Sequence, residues 1–158
     1  MLAQAMKRRL SKEENQKGFT LIELLAVIVI LGIIAVIAIP MITNVISKSR
    51  KDADVATARQ VYDAARLYVT SELEGKFTST PGLTVTIGPK ATAGTLQAKG
   101  YLEDPLYLPS TKDKIDGGTV TFNTDGTLNQ VTLTTTASTD PTPFSADEVM
   151  SGKPGSSR

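Results

Sequence analysis

The sequence predicts an α+β fold: a long N-terminal helix, membrane-embedded in its first half and amphipathic in its second, packed on a small antiparallel sheet. Three observations lead there. Residues 19–42 (FTLIELLAVIVILGIIAVIAIPMI) carry one charge, Glu23. Residues 43–76 keep apolar side chains at helical spacing. Residues 77–136 change to runs that alternate apolar with polar, the period of a strand.

Residues 1–18 (MLAQAMKRRLSKEENQKG) are polar, with Lys7, Arg8, Arg9, Lys12 and Lys17 against Glu13 and Glu14. Met6 is an alternative start to Met1, since the five residues before it add no signal. From Leu24 to Ile39 every residue is apolar or Gly. As a helix, residues 19–42 would reach about 36 Å, enough to cross a hydrocarbon core of about 30 Å. The basic flank precedes the run, which places the N-terminus in the cytoplasm and the rest outside. Other origins for such a run fit less well. A secretory signal has a shorter apolar stretch followed by a small-x-small cleavage site. A plain single-span anchor leaves Glu23 unexplained, because a carboxylate in the membrane is costly. Unbroken apolarity on all faces over the 16 residues Leu24–Ile39 argues against the core helix of a soluble protein.

Beyond the span, Val55, Ala58, Val61, Ala65 and Tyr68 recur at spacings of three and four, with Arg59, Asp63, Arg66 and Glu72 mainly between them. Gly75 is the expected stop. In residues 77–136, Leu83–Ile87, Thr119–Phe122 and Val131–Thr134 read as strands. Asn123–Gly126 reads as the hairpin turn between the last two, and Asp116-Gly117-Gly118 as another turn. Thr95–Gly100 reads as a short helix ending at glycine. Three strands need a packing partner, and the apolar stripe of the helix supplies it. Residues 137–158, rich in Ser, Thr, Pro and Gly, read as a mobile tail.

Composition removes whole classes of function. With no cysteine there is no disulfide scaffold, thiol nucleophile or Cys-ligated metal. With no histidine, the commonest general base and metal ligand is missing too. A structural role is therefore favoured over an enzyme, and no cofactor is indicated. A net charge of +1 argues against a broadly basic nucleic-acid binder.

The segment Lys17-Gly18-Phe19-Thr20-Leu21-Ile22-Glu23-Leu24-Leu25 closely resembles the processing site of type IV pilins and pseudopilins. The match joins a basic leader, a glycine before an apolar residue, a glutamate five positions further on and a long apolar run. The resemblance covers residues 17–42 directly, and the order of long helix then small sheet domain more loosely. Thr95–Leu102 is similar to a short-helix, Gly-Tyr-Leu element of such pilins. The absence of cysteine departs from the C-terminal disulfide loop of many relatives.

The resemblance implies a type IV pilin fold and a leader, residues 1–18, that prepilin peptidase removes between Gly18 and Phe19, with methylation of the new Phe19 amine. It implies insertion in the cytoplasmic membrane, then polymerisation by a pilus assembly platform and ATPase into a surface filament whose main partner is the chain itself. Glu23 would pair with the Phe19 ammonium of a neighbouring subunit, and the stretch between Gly32 and Pro40 would melt on assembly. A major pilin serving adhesion or twitching motility is the leading role. A competence pseudopilin for DNA uptake and a secretion pseudopilin are alternatives, and a single-span anchored binding module is the alternative outside the family. Some secretion pseudopilins bind calcium through acidic loops, but Asp113, Asp116, Asn123 and Asp125 match no EF-hand spacing. Lys90, Lys99, Lys112 and Lys114 are interspersed with acids and read as a solvated surface, so DNA is not indicated as a partner.

Overall fold

A computed structural model describes residues 19–155. The expected leader, residues 1–18, lies outside the described residues, and so does Gly18. Helix α1 spans Leu21–Glu72. Strands β1 (Leu83–Thr86), β2 (Leu106–Tyr107), β3 (Lys114–Phe122), β4 (Leu128–Thr135) and β5 (Ser138–Ser145) follow, then a short helix α2, Ala146–Ser151. The chain divides into two units, the second beginning at Val45. The architecture is α+β, a long N-terminal helix with a small antiparallel sheet, as the sequence predicts.

In the first unit α1 is apolar on every side and exposed on nearly all of it. It is long and apolar enough to cross a membrane. In the second unit the same helix buries Val55, Ala58, Val61, Ala65 and Val69 completely. Four of these five belong to the stripe expected from spacing, and Tyr68 from that stripe packs at the margin of the core. The helix ends at Glu72 rather than running to residue 76. Glu74 and Gly75 both take positive φ, and the Gly75 N–H donates to the Val69 carbonyl at 3.0 Å. Gly75 thus closes the helix, but from outside it.

The sheet is antiparallel, in the order β1-β3-β4-β5, with β2 also paired to β3. One row of side chains, Val85, Val120, Val131 and Phe144, crosses four strands in register, and each is buried. The intervening positions carry threonine on the other face: Thr86, Thr119 and Thr132 lie side by side, with Thr119 and Thr132 hydroxyls 2.8 Å apart. Asn123–Gly126 forms the expected β3–β4 turn, with Gly126 at φ 84.

Three expectations are corrected. Asp116-Gly117-Gly118 is not a turn: it lies inside β3, where a bulge falls between Ile115 and Gly117. Gly118 has φ 129, and a Cβ there would overlap the Thr132 carbonyl, so the close strand approach requires glycine. Thr95–Gly100 forms turns instead of a helix. Its Leu96 and Gln97 N–H groups donate to the carbonyls of Thr86 and Ile87, which ties the segment to the end of β1. The Thr95 hydroxyl donates to the Pro89 and Thr92 carbonyls, fixing the bend.

The third correction concerns residues 137–158. Within them, β5 pairs with β4, and α2 starts at a full capping box between Ser145 and Glu148. Phe144 and Val149 are the anchors, both fully buried. Arg59 of α1 donates to the carbonyls of Val149 and Met150 at 3.1 and 2.8 Å. Two buried apolar side chains outweigh a polar composition. Pro141 and Pro143 suit β5 to the sheet edge, where they remove donors that another strand could use.

The end of α1 is tied to the turn segment. Lys99 Nζ meets Glu72 Oε2 at 2.9 Å, the Tyr101 hydroxyl donates to Glu72 Oε1, and the Tyr68 and Tyr101 rings meet edge-on at 5.5 Å. Lys99 first, by hydrogen bond and charge, and Tyr101 next hold the Glu72 carboxyl below its ordinary range. That contribution is complete above the unfolded carboxylate value and is lost as pH falls through the lower folded value. Glu72→Gln is therefore expected to lower the urea midpoint at pH 7 and to leave it unchanged at a pH below both values, measured on the detergent-solubilised chain. Phe144→Ala is expected to cost about 3–5 kcal/mol and to make the segment from β5 onward the first site of protease cleavage.

Candidate assembly site

The first residues of α1 are held by a local hydrogen-bond pair. Thr20 stands just ahead of Leu21, where the helix begins, and its N–H and hydroxyl both donate to Glu23 Oε2, at 2.8 and 2.9 Å. In return the Glu23 N–H donates to the Thr20 hydroxyl at 3.3 Å. This is a capping box, Thr at the N-cap and Glu three positions on. The same pattern, Ser145 with Glu148, opens α2. The Thr-x-x-Glu spacing is the sequence signal of this cap, and it overlaps the processing motif.

The cap changes what Glu23 is in a single chain. Its Oε2 already has two donors, while Oε1 has no bond among the described residues. The carboxylate also sits at the positive end of the helix dipole. Phe19 precedes the cap and is 85% exposed. Phe19 and Glu23 are thus neighbours around the first turn of one helix, whereas Gly32 and Pro40 lie further along it.

Gly32 and Pro40 fall inside an uninterrupted helix. Pro40 cannot donate to the Val36 carbonyl, so the ladder lacks one bond there. The Thr43 hydroxyl donates to the Ile39 carbonyl at 2.9 Å, a side-chain bond of the kind that accompanies bends. A Cβ added at Gly32 would meet nothing within 4 Å, so packing within the chain does not require glycine there.

Among the other candidate polar groups, Asn123, Asp125, Lys99 and Lys114 have local side-chain partners. The Thr127 hydroxyl and N–H donate to Asp125 Oδ1, at 2.6 and 2.9 Å, and hold its carboxyl below the ordinary range. Among the described residues no three acidic side chains gather as a metal site. Lys99 pairs with Glu72, and Lys114 with Asp104 at 2.8 Å. Two of the four lysines considered for a DNA face are therefore already in ion pairs.

A capped helix entrance, an apolar helix long enough to cross a membrane and a separate sheet unit place the chain in the α+β class with a long N-terminal helix. Residues 15–39 match the family model for the prokaryotic N-terminal methylation motif, which takes in Gly18, Phe19, Glu23 and Gly32. A fimbrial protein of Pseudomonas aeruginosa is 35% identical over 116 residues, covering 73% of this chain and 66% of the relative. A fimbrial protein of Moraxella nonliquefaciens is 29% identical over 135 residues, 76% of this chain and 85% of the relative. The type IV major alpha-pilin of Moraxella bovis is 51% identical over 53 residues, 32% of this chain and 33% of the relative. The chain belongs to the type IV pilin family. It spans about 66% of the length of the Pseudomonas relative. No solved structure matches it significantly.

Removing the cap gives a direct check on the helix entrance. Thr20→Val is expected to weaken the first turn by about 1 kcal/mol. Amide exchange of Leu24, whose N–H donates to the Thr20 carbonyl, would then quicken about fivefold in detergent micelles.

Proposed function

We propose that this chain is a structural subunit of a type IV pilus, a major or core subunit serving surface adhesion and motility, and not an enzyme. The observation that carries the reading is the uncovered apolar half of α1 directly behind a Gly18-Phe19 junction and a capped Glu23. Each Leu, Ile or Val there is worth on the order of 1.5–3 kcal/mol when taken out of water. Among the described residues nothing covers them. Lipid covers them first, and neighbouring copies of the same helix cover them in the filament.

Prepilin peptidase cuts between Gly18 and Phe19. The five basic residues of the leader keep that bond at the cytoplasmic face. The chain from Phe19 onward then carries 12 Lys+Arg and 14 Asp+Glu, against 17 and 16 before the cut. The Phe19 amine is methylated and becomes a free ammonium. The assembly platform and its ATPase draw the subunit from the membrane into the filament.

Glu23 acts there as a registry device. A carboxylate in a dry bundle is costly unless paired. Oε2 is held by the subunit's own Thr20, and Oε1 receives the Phe19 ammonium of the next subunit. The penalty disappears only in the correct stagger. Apolar contact alone cannot fix that stagger, because it is non-directional. The stretch from Gly32 to Pro40 combines a weak helix former with a missing ladder bond, and it is the segment that yields when the filament forms or is stretched.

Intact-mass and N-terminal peptide mass spectrometry on material sheared from cells tests this reading. The expected chain begins at Phe19 and carries one added methyl. A chain that keeps Met1 or Met6 and the basic leader would mean an uncut anchor and would sink the proposal. Glu23→Ala is expected to insert into the membrane at the normal level yet yield few filaments by electron microscopy.

A further inference from the structure

We propose that the unit beginning at Val45 carries a head-to-tail contact between copies of this chain, in which Pro105 and Tyr107 of one copy enter a cleft beside Arg66 of the next. The proposal rests on the pilus reading and names a surface that the pairing of Phe19 with Glu23 does not use.

The cleft has a volume of about 480 Å³ and is lined by Tyr62, Arg66, Phe77, Phe122, Leu128 and Met150, among others. Its aromatic wall is braced: Phe122 meets the Tyr62 ring at 6.0 Å and the Phe77 ring at 5.5 Å. The Arg66 guanidinium lies 5.8 Å from the Tyr62 ring centre and has no ion pair among the described residues. Met150 is 53% exposed at the same cleft. An apolar pocket of this size with one cation suits an apolar or aromatic group that carries a negative neighbour.

The chain presents such a group itself. In β2, Leu106 packs against the core, so Tyr107 faces the other way and is 53% exposed. Pro105 and Glu103 are exposed beside it. Asp104 is engaged by Lys114, whereas the Glu103 carboxylate has no ion pair among the described residues. The knob is therefore aromatic with a spare anion, and the cleft aromatic with a spare cation. Tyr and Arg are also the side chains that most often anchor interfaces.

Their placement gives the contact its direction. Tyr107 pairs with Lys114 at one end of β3, and the cleft holds Phe122 at the other end. Eight residues of strand separate them, about 26 Å. On α1, Asp54 accepts the Ser110 N–H at 2.9 Å near the knob, while Arg66 lies twelve residues further along, about 18 Å. Knob and cleft thus sit at opposite ends of one unit. Stacking copies along that direction brings each knob to the next cleft, and the contact does not close on itself.

The natural chain has no cysteine, so an engineered pair reports without background. Tyr107→Cys and Met150→Cys are placed together in the full-length chain, filaments are grown on cells, mildly oxidised, sheared and run on a non-reducing gel. The expected result is a ladder of multimers that reductant collapses to monomer, with each single variant remaining monomeric. Monomer alone, dimer alone, or a ladder from a single variant would overturn the contact. If the double-cysteine chain makes no filaments, charge exchange decides: Arg66→Glu and Glu103→Arg should each lower filament yield about fivefold, and the double exchange should restore it. A double exchange no better than either single overturns the contact. Absence of filaments from the unaltered chain, seen by electron microscopy, would count against the pilus reading instead.

Discussion

A sheet with one apolar face must place that face against something, and here that something is a single stripe on one helix. Val55, Ala58, Val61, Ala65 and Val69 are fully buried, and Val85, Val120, Val131 and Phe144 form the matching row from four strands. The two rows need one another. Without the stripe the sheet exposes its core, and a few short strands are marginal by themselves. The stripe is made of small side chains, Ala and Val, which share one core cluster with the strand row. The remaining features of this unit follow from that contact: Asp54 receives the Ser110 N–H, Arg59 receives the end of α2, and Glu72 receives Lys99. One helix thus organises loops that are 27 to 91 residues away in the chain.

The first half of α1 obeys a different rule. Its apolar side chains surround the helix instead of forming a stripe, so no single partner can cover it. Lipid can, and so can a ring of identical helices. In both settings the backbone must satisfy its own hydrogen bonds, which makes the two irregularities informative. At the entrance, two of the N–H groups that a helix leaves unpaired, those of Thr20 and Glu23, are met by the Thr20–Glu23 box. At Pro40 a carbonyl loses its donor. The chain therefore reinforces the helix at Glu23 and weakens it at Pro40, a distribution suited to a segment gripped at one end and required to yield further along.

Long-range order was legible where periodicity was strong. The apolar run, the stripe from Val55 onward, the β3–β4 hairpin with its Asn123–Gly126 turn, and the motif at Gly18, Phe19 and Glu23 could all be read from spacing and residue type. What escaped reading depended on tertiary partners. Thr95–Gly100 has a helical look, yet its N–H groups serve the carbonyls of Thr86 and Ile87. Residues 138–151 have the composition of a tail, yet Phe144 and Val149 find a core prepared by distant strands. Gly117 and Gly118 resemble a turn, yet the approach of the Thr132 carbonyl puts them within a strand. At Glu23 the methylation motif and a capping motif occupy the same residues, so the bond from Thr20 does not stand out in the pattern.

Filament assembly places two demands on one subunit, and different chemistry meets each. Cohesion comes from the apolar half of α1, whose burial is large but indifferent to sliding. Register has to come from groups that are costly when misplaced. In the proposed filament Glu23 would supply one such group at the start of the helix, with an ammonium one subunit away to complete its bonding. Arg66 and Glu103 supply another on the unit beginning at Val45, where the cost of misplacement is modest because both are exposed to water. The Phe19–Glu23 pair would therefore set the stagger strictly, while the Arg66–Glu103 contact would open reversibly. Both contacts would therefore add to filament yield, the Phe19–Glu23 pair by setting register and the Arg66–Glu103 contact by strengthening the stack.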